Sequence, residues 1–216
     1  MNATVQTGYF FMPEHIILVG ASERPHSLGE RIFSHLLGSS YQGKITPVNL
    51  RHSSVAGLPS YSSLSKIPGQ ADLVVAVIPH DHYDTLFKAC RKKGLRHIIL
   101  IQDWENLPPE SCKNARSIIQ KYHDDELNIS VCNSAGVQLP SLNLNIGTQA
   151  DYPAGHIALL TGHSTVSRNI NHLLNTMHQG VSRHISLNYN LSPTTSADWL
   201  NRFGHSLHTK TAVLHH

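Results

Sequence analysis

Charge is scarce in this chain. Asp, Glu, Lys and Arg make up 14% of its 216 residues, against roughly a quarter in an average globular protein, and Ser, Asn, Thr, Gln and His fill the gap. The 17 histidines equal Lys plus Arg in number, and the formal charge is +3 with His neutral. No basic stripe exists. The densest group, Arg91-Lys92-Lys93, falls at an expected helix end where cations suit the macrodipole, so a nucleic-acid partner is not implied and none is expected. Paired cysteines are missing too. Cys90, Cys112 and Cys132 are odd in number and widely spaced, which points to reduced thiols rather than a disulfide frame. No apolar run approaches about 18 residues and no charged-then-apolar leader opens the chain. The expectation is a soluble, cytoplasmic protein without a membrane partner. His80 and His82 flank Asp81, and His205 stands near His208, but neither pair reaches the three or four ligands a metal needs. No metal site is expected.

Also absent is the G-x-G-x-x-G fingerprint of dinucleotide sites, together with the acidic residue about 20 positions later that holds a ribose. What stands in its place is Ile16-Ile17-Leu18-Val19-Gly20-Ala21-Ser22-Glu23-Arg24-Pro25-His26-Ser27-Leu28-Gly29, a buried strand breaking into small residues and reopening as a helix. Gly20 and Ala21 permit a tight turn, while Ser22 and Ser27 set hydroxyls beside the free N–H groups of a helix start. The second strand, Lys44 to Asn49, ends in Leu50-Arg51-His52 with no carboxylate at its tip. Arg24 and Arg51 suit an extra phosphate, on either a 2′-phosphorylated dinucleotide or coenzyme A with its 3′-phosphate.

Apolar runs recur at intervals too long for hairpins, which implies crossover helices between parallel strands. Strands are expected at His15 to Gly20, Lys44 to Asn49, Asp72 to Ile78, Arg96 to Ile101 and Asn128 to Cys132. Helices are expected at Leu28 to Leu37, Tyr83 to Lys93 and Pro108 to Tyr122. These form a doubly wound, mostly parallel α/β sheet over residues 1–134. Residues 135–153, rich in Asn, Gly, Pro and Gln, read as a connecting loop. A second α/β unit over 154–216 then begins with a strand at His156 to Thr161, the turn Gly162-His163-Ser164-Thr165 and a helix from Val166 to Met177. A strand near His184 to Leu187, a helix bearing Trp199 and a last run at Thr211 to Leu214 follow. The pattern halts mid-domain, so a truncated or excised piece of something longer is expected.

Several segments resemble the coenzyme A-binding domain of NDP-forming acyl-CoA synthetases, shared with the succinyl-CoA synthetase α subunit and with two-part bacterial protein lysine acetyltransferases. They are Val19-Gly20-Ala21-Ser22-Glu23-Arg24-Pro25 with Ser27-Leu28-Gly29, Gly57-Leu58-Pro59-Ser60-Tyr61, Asp72 to Pro79, and Lys93-Gly94-Leu95. The resemblance implies a Rossmann-like CoA-binding domain followed by the start of a flavodoxin-like one. It places Gly20, Ala21, Ser22, Arg24 and Ser27 around the coenzyme's phosphates, Asn49 and Arg51 near the adenosine end, and Ile78, Pro79 and Gln102 along the far wall. The chain departs from the family in two places. Val131-Cys132-Asn133 replaces Gly-Pro-Asn, and Thr161-Gly162-His163-Ser164 replaces the Ser-Gln-Ser-Gly turn that faces a phosphohistidine, leaving Ser164 and Thr165 to hold an anion. The resemblance further implies a CoA thioester as ligand, and a nucleotide-grasp or acetyltransferase domain as missing partner, without which the chain is inactive. Two other readings stand beside it, an NADP-dependent reductase domain and a degenerate scaffold without ligand.

Overall fold

The computed structural model describes residues 12–123, 127–204, 206 and 208–216; His205 lies outside them. Five buried runs build the first half: β1 (His15–Val19), β2 (Lys44–Val48), β5 (Leu73–Ala76), β6 (His97–Ile101) and the start of β7 (Asn128–Leu139). Between β2 and β5 lies a small hairpin of β3 (Ser54–Val55) and β4 (Leu58–Pro59), which the sequence reading did not foresee. Three helices cross between the strands, α1 (Leu28–Gly38), α2 (Tyr83–Lys93) and α3 (Pro109–Tyr122). Alternate strand residues face opposite layers, as the pleat demands. Ile16 and Leu18 pack with Ile32, Phe33 and Leu36 of α1, while Ile17, Val74 and Ile98 pack with Phe87 of α2 and Ile119 of α3. The sheet is wound on both faces and mostly parallel, a Rossmann-like α/β architecture.

The second half holds β8 (Leu144–Ile146), β9 (Ala154–Thr161), α4 (Ser164–Thr176), β10 (Val181–Leu187), α5 (Ser196–Gly204) and β11 (Thr211–His215). Its strands extend the same sheet, whose order is β11-β9-β10-β7-β6-β5-β1-β2, with β8 on β7. Trp199 and Phe203 of α5 are buried in the layer shared with α1.

Residues 135–153 correct the reading from composition. Residues 135–146 are the remainder of β7 and its antiparallel hairpin with β8, and only 147–153 run on without helix or strand. Gln138, Asn145 and Gln149 are buried, and the first two bond within the segment. Gln138 Nε2 donates to the Ala150 carbonyl at 3.1 Å and Gln138 Oε1 accepts the Tyr152 N–H at 3.0 Å. Asn145 Nδ2 donates to the Gln149 carbonyl at 3.0 Å and to Asp151 Oδ1 at 2.7 Å. A hairpin stapled by amides has the composition of a loop; Gln138 and the Asn145 Nδ2 are bonded as buried polar groups should be, while Asn145 Oδ1 and Gln149 Oε1 are buried without a partner among the described residues.

The length of β7 sets the geometry of the site. Its first five residues pair in parallel with β6, ending at Ile101 opposite Cys132. Beyond that point β10 joins it antiparallel, with His184 opposite Gln138 and Leu187 opposite Cys132. β9 runs parallel to β10, and β11 to β9. The carboxyl ends of the second set of strands therefore come down to the level where the first set ends. Two strand–turn–helix units, β1–α1 and β9–α4, open at that level.

Candidate functional site

At the first turn the backbone leaves β1 at Gly20, whose φ is +94°. A Cβ built there would collide with the Val77 carbonyl oxygen, and one at Gly29 with the Gly20 carbonyl oxygen. Both glycines are therefore required by the packing of the turn itself, before any ligand is considered. Ser27 caps α1, its Oγ accepting the Glu30 N–H at 3.2 Å. The N–H groups of Leu28 and Gly29 open the helix as donors without an intrahelical acceptor. Ser22 Oγ accepts the Arg24 N–H at 3.0 Å. Each serine oxygen serves the loop as acceptor and keeps its O–H proton to donate outward. Arg24 is exposed, and its guanidinium has no protein partner among the described residues.

The neighbouring strand tips are tied to this turn. Asn49 Nδ2 donates to the Ala21 carbonyl at 2.8 Å, and its Oδ1 accepts the N–H groups of Arg51 at 2.8 Å and His52 at 3.1 Å. Both ends of the Asn49 amide are thus spent on shaping the loop that carries Arg51, a structural task that the sequence reading did not anticipate. The Arg51 guanidinium is exposed and, among the described residues, unpaired. Gln102 Nε2 donates to the Ile78 carbonyl at 2.5 Å, joining the tips of β5 and β6, with exposed Pro79 beside them. Gly20, Ala21, Ser22, Arg24, Ser27, Asn49 and Arg51 thus form one connected rim, and Ile78 and Gln102 a second, bonded pair. The register that sets Val19 between Val48 and Ala76 makes the two rims adjacent. Orphan helix donors, spare hydroxyl protons and two unpaired arginines fit a polyanionic nucleotide. Nothing on this rim is a nucleophile. Cys132, near the same level, is fully buried and its thiol is pushed up to about 12 by burial, so it stays protonated at neutral pH.

The second turn is built differently. Helix α4 has His163 at its N-cap with no side-chain cap bond and no acid in its first turn. Glu105, 59 residues earlier, supplies the acceptor. Its Oε1 lies 3.3 Å from the Ser164 N–H nitrogen and 3.4 Å from His163 Nδ1. Sequence reasoning missed Glu105, since the sequence offers Ser164 and Thr165 as the cap and the structure places the N-cap at His163. Ser164 Oγ sits 3.1 Å from Ser134 Oγ and accepts the Ala135 N–H at 3.2 Å, while Thr165 is exposed. Under the turn, His184 Nε2 lies 3.1 Å from Thr161 Oγ1 and 3.2 Å from Ser167 Oγ, with Gln149 Nε2 3.4 Å from its Nδ1. Burial pushes the His184 pKa down to about 3. Arg31 of α1 donates to the Thr148 carbonyl at 3.1 Å, bridging the halves.

An open cavity of about 950 Å³ lies at the opposite, amino ends of β1, β2 and β5, lined by Glu14, Tyr41, Lys44 and Asp72 among others. Open α/β sheets bind ligands outside the carboxyl ends of their strands, where the helix donors and unpaired arginines lie. Chemistry therefore favours the carboxyl rim over this cavity.

The model described as CoA binding domain matches residues 14–139. The chain belongs to the CoA binding domain family. Residues 19–29, 49–51 and 78–79 and Gln102 all lie inside the matched span. The α subunit of the ADP-forming acetate–CoA ligase II of Pyrococcus furiosus is 27% identical over 209 residues, covering 96% of this chain and 45% of that protein. The ADP-forming acetate–CoA ligase of Methanocaldococcus jannaschii is 24% identical over 96% of this chain and 29% of its own length. Among solved structures, PH0766 from Pyrococcus horikoshii OT3 superposes with a TM-score of 0.82 at 25% identity, over 95% of this chain and 47% of that one. A dinucleotide-forming acetyl-coenzyme A synthetase from Ca. Korarchaeum cryptofilum, solved with phosphate and ADP, shares the fold at a TM-score of 0.82 and 21% identity, over 96% of this chain and 44% of that one. This CoA binding domain protein spans less than half the length of these relatives, and it resembles the α subunit of ADP-forming acyl-CoA synthetases. Among the described residues no helix is long and apolar enough to cross a membrane.

Proposed function

We propose that the chain binds coenzyme A, free or as a thioester, and serves as the CoA-binding part of an ADP-forming acyl-CoA ligase. Gly20, Ala21, Ser22, Arg24 and Ser27 receive the pyrophosphate, with the α1 amides and serine hydroxyls donating. Arg51 meets the ribose 3′-phosphate, held in place through Asn49, and Ile78, Pro79 and Gln102 wall the cleft toward the reactive end. Residues 1–134 act as the coenzyme module and 154–216 as part of the module whose turn, Ser164-Thr165, faces a phosphoryl group. A nucleotide-grasp domain or partner chain supplies the nucleotide chemistry, and this chain alone makes no acyl-CoA.

The observation that carries this reading is the pair of unpartnered arginines beside a capped helix start, in a chain of the CoA binding domain family. Calorimetric titration with CoA, dephospho-CoA, NADP and ADP tests it. CoA is expected to bind tightest, and Arg51→Ala to cost CoA about 1.5–3 kcal/mol, the worth of a charge-assisted bond, while leaving dephospho-CoA unchanged. Preference for NADP, or equal losses for CoA and dephospho-CoA, contradicts it.

A further inference from the structure

We propose that Glu105 is an internal competitor for phosphoryl anions at the amino terminus of α4, an autoinhibitory carboxylate delivered by the first half of the chain. The inference rests on the reading that the Ser164-Thr165 turn faces a phosphoryl group. A helix start carries partial positive charge and orphan donors. At α1 a local serine meets part of that need and leaves the rest open. At α4 no local side chain does so, and the anion present is Glu105, whose single oxygen is shared between Ser164 N and His163 Nδ1.

The position of Glu105 is built, not incidental. It lies in a one-turn 3₁₀ helix, Trp104–Asn106. The neighbouring Trp104 is buried and donates through Nε1 to the Cys132 carbonyl at 3.0 Å. On the other side of the turn, the Ser164 hydroxyl is engaged with Ser134 and Ala135, and Asn133 Nδ2 donates to the Gly162 carbonyl at 2.8 Å. The first amide of α4 and its adjacent hydroxyl are therefore both partnered within the chain. A phosphoryl oxygen reaches Ser164 N–H only by displacing Glu105, and a phosphate beside a retained Glu105 meets a like charge. The Glu105 side chain is 40% exposed, so it can swing into solvent. The contact is a reversible block.

Inorganic phosphate is the probe, read at the Ser164 and Thr165 amides in ¹H–¹⁵N spectra of the full chain. Wild type, Glu105→Gln and Glu105→Ala are compared, with CoA titrated into each as a separate control. Glu105→Ala is expected to bind phosphate about fourfold more tightly than wild type. Glu105→Gln, which removes the charge but keeps the shape, is expected to gain about twofold and carries the test if the alanine variant does not fold. CoA affinity should stay within twofold throughout. Equal phosphate affinity in wild type and both variants overturns the inference and leaves the turn as an anion site. No response in any of the three overturns both the inference and that reading of the turn, while the CoA titration reports on the coenzyme site independently.

Discussion

The β1–α1 and β9–α4 turns use the same strand–turn–helix plan and reach opposite states. The first is self-sufficient. Its glycines fit the backbone, Ser27 caps the helix from within, and its arginines are unpaired among the described residues. The second depends on distant residues, with Glu105 as its acceptor, Ser134 and Asn133 bracing it, and His184 beneath it. The first helix start leaves donors open. At the second an internal carboxylate holds the first amide and ties the two halves together until it is displaced.

The sharpest way to break this contrast is at the glycines. Gly20→Val forces a β-branched residue to φ +94° and against the Val77 carbonyl, and is expected to cost roughly 2–5 kcal/mol of stability. It tests the packing of the turn more than the approach of a ligand. Gly162→Ala has no positive φ to pay for and meets mainly the Tyr189 ring, so a loss of about 1 kcal/mol is expected. Urea denaturation of both variants checks the difference, and equal losses erase it.

The next effect is on pH. His184 lies beneath the second turn and has a folded pKa near 3, against about 6.5 when unfolded. The folded state binds fewer protons below pH 6.5. Its contribution is therefore complete above 6.5 and is lost as pH falls toward 3, by up to about 1.4 kcal/mol per pH unit. His15 and His97 are also lowered by burial, with the same sign, but they stand at the amino ends of β1 and β6, away from both turns. Between pH 6.5 and 5, His184→Gln should flatten the fall in stability measured by denaturant titration. An unchanged slope would remove the histidine from the account.

Smaller still are the caps. Ser27→Ala should cost about 1 kcal/mol. Glu105→Gln, at a part-exposed site, should cost only a few tenths of a kcal/mol at moderate salt. A larger loss for Glu105→Gln than for Ser27→Ala would reverse the assignment of a local cap to one turn and a borrowed one to the other.

How much of this was legible beforehand follows the same division. The buried runs of β1 and β6, the apolar spacing of Ile32, Phe33 and Leu36, and the Gly94 that ends α2 at φ +72° are local signals, and the main strands and helices of the first half read from them, the short β3–β4 hairpin excepted. The β7–β8 hairpin did not, because the Gln138 and Asn145 amides donate to partners whose positions exist only once the sheet forms. Asn49 is a ligand contact only by the family resemblance, and its three hydrogen bonds to loop backbone show that its first task is shaping the loop that carries Arg51. Glu105 is out of reach of any local pattern, since the helix it caps begins 59 residues later.

The central claim is that the first turn is open to a phosphorylated nucleotide and the second is closed by the chain's own carboxylate. A ¹H–¹⁵N titration of the wild-type chain with CoA tests it most directly. Saturable shifts are expected at the amides of Ser22, Ser27, Leu28, Gly29 and Arg51, with Ser164 and Thr165 unmoved. Shifts centred on Ser164 and Thr165, or a silent first turn, would contradict the account.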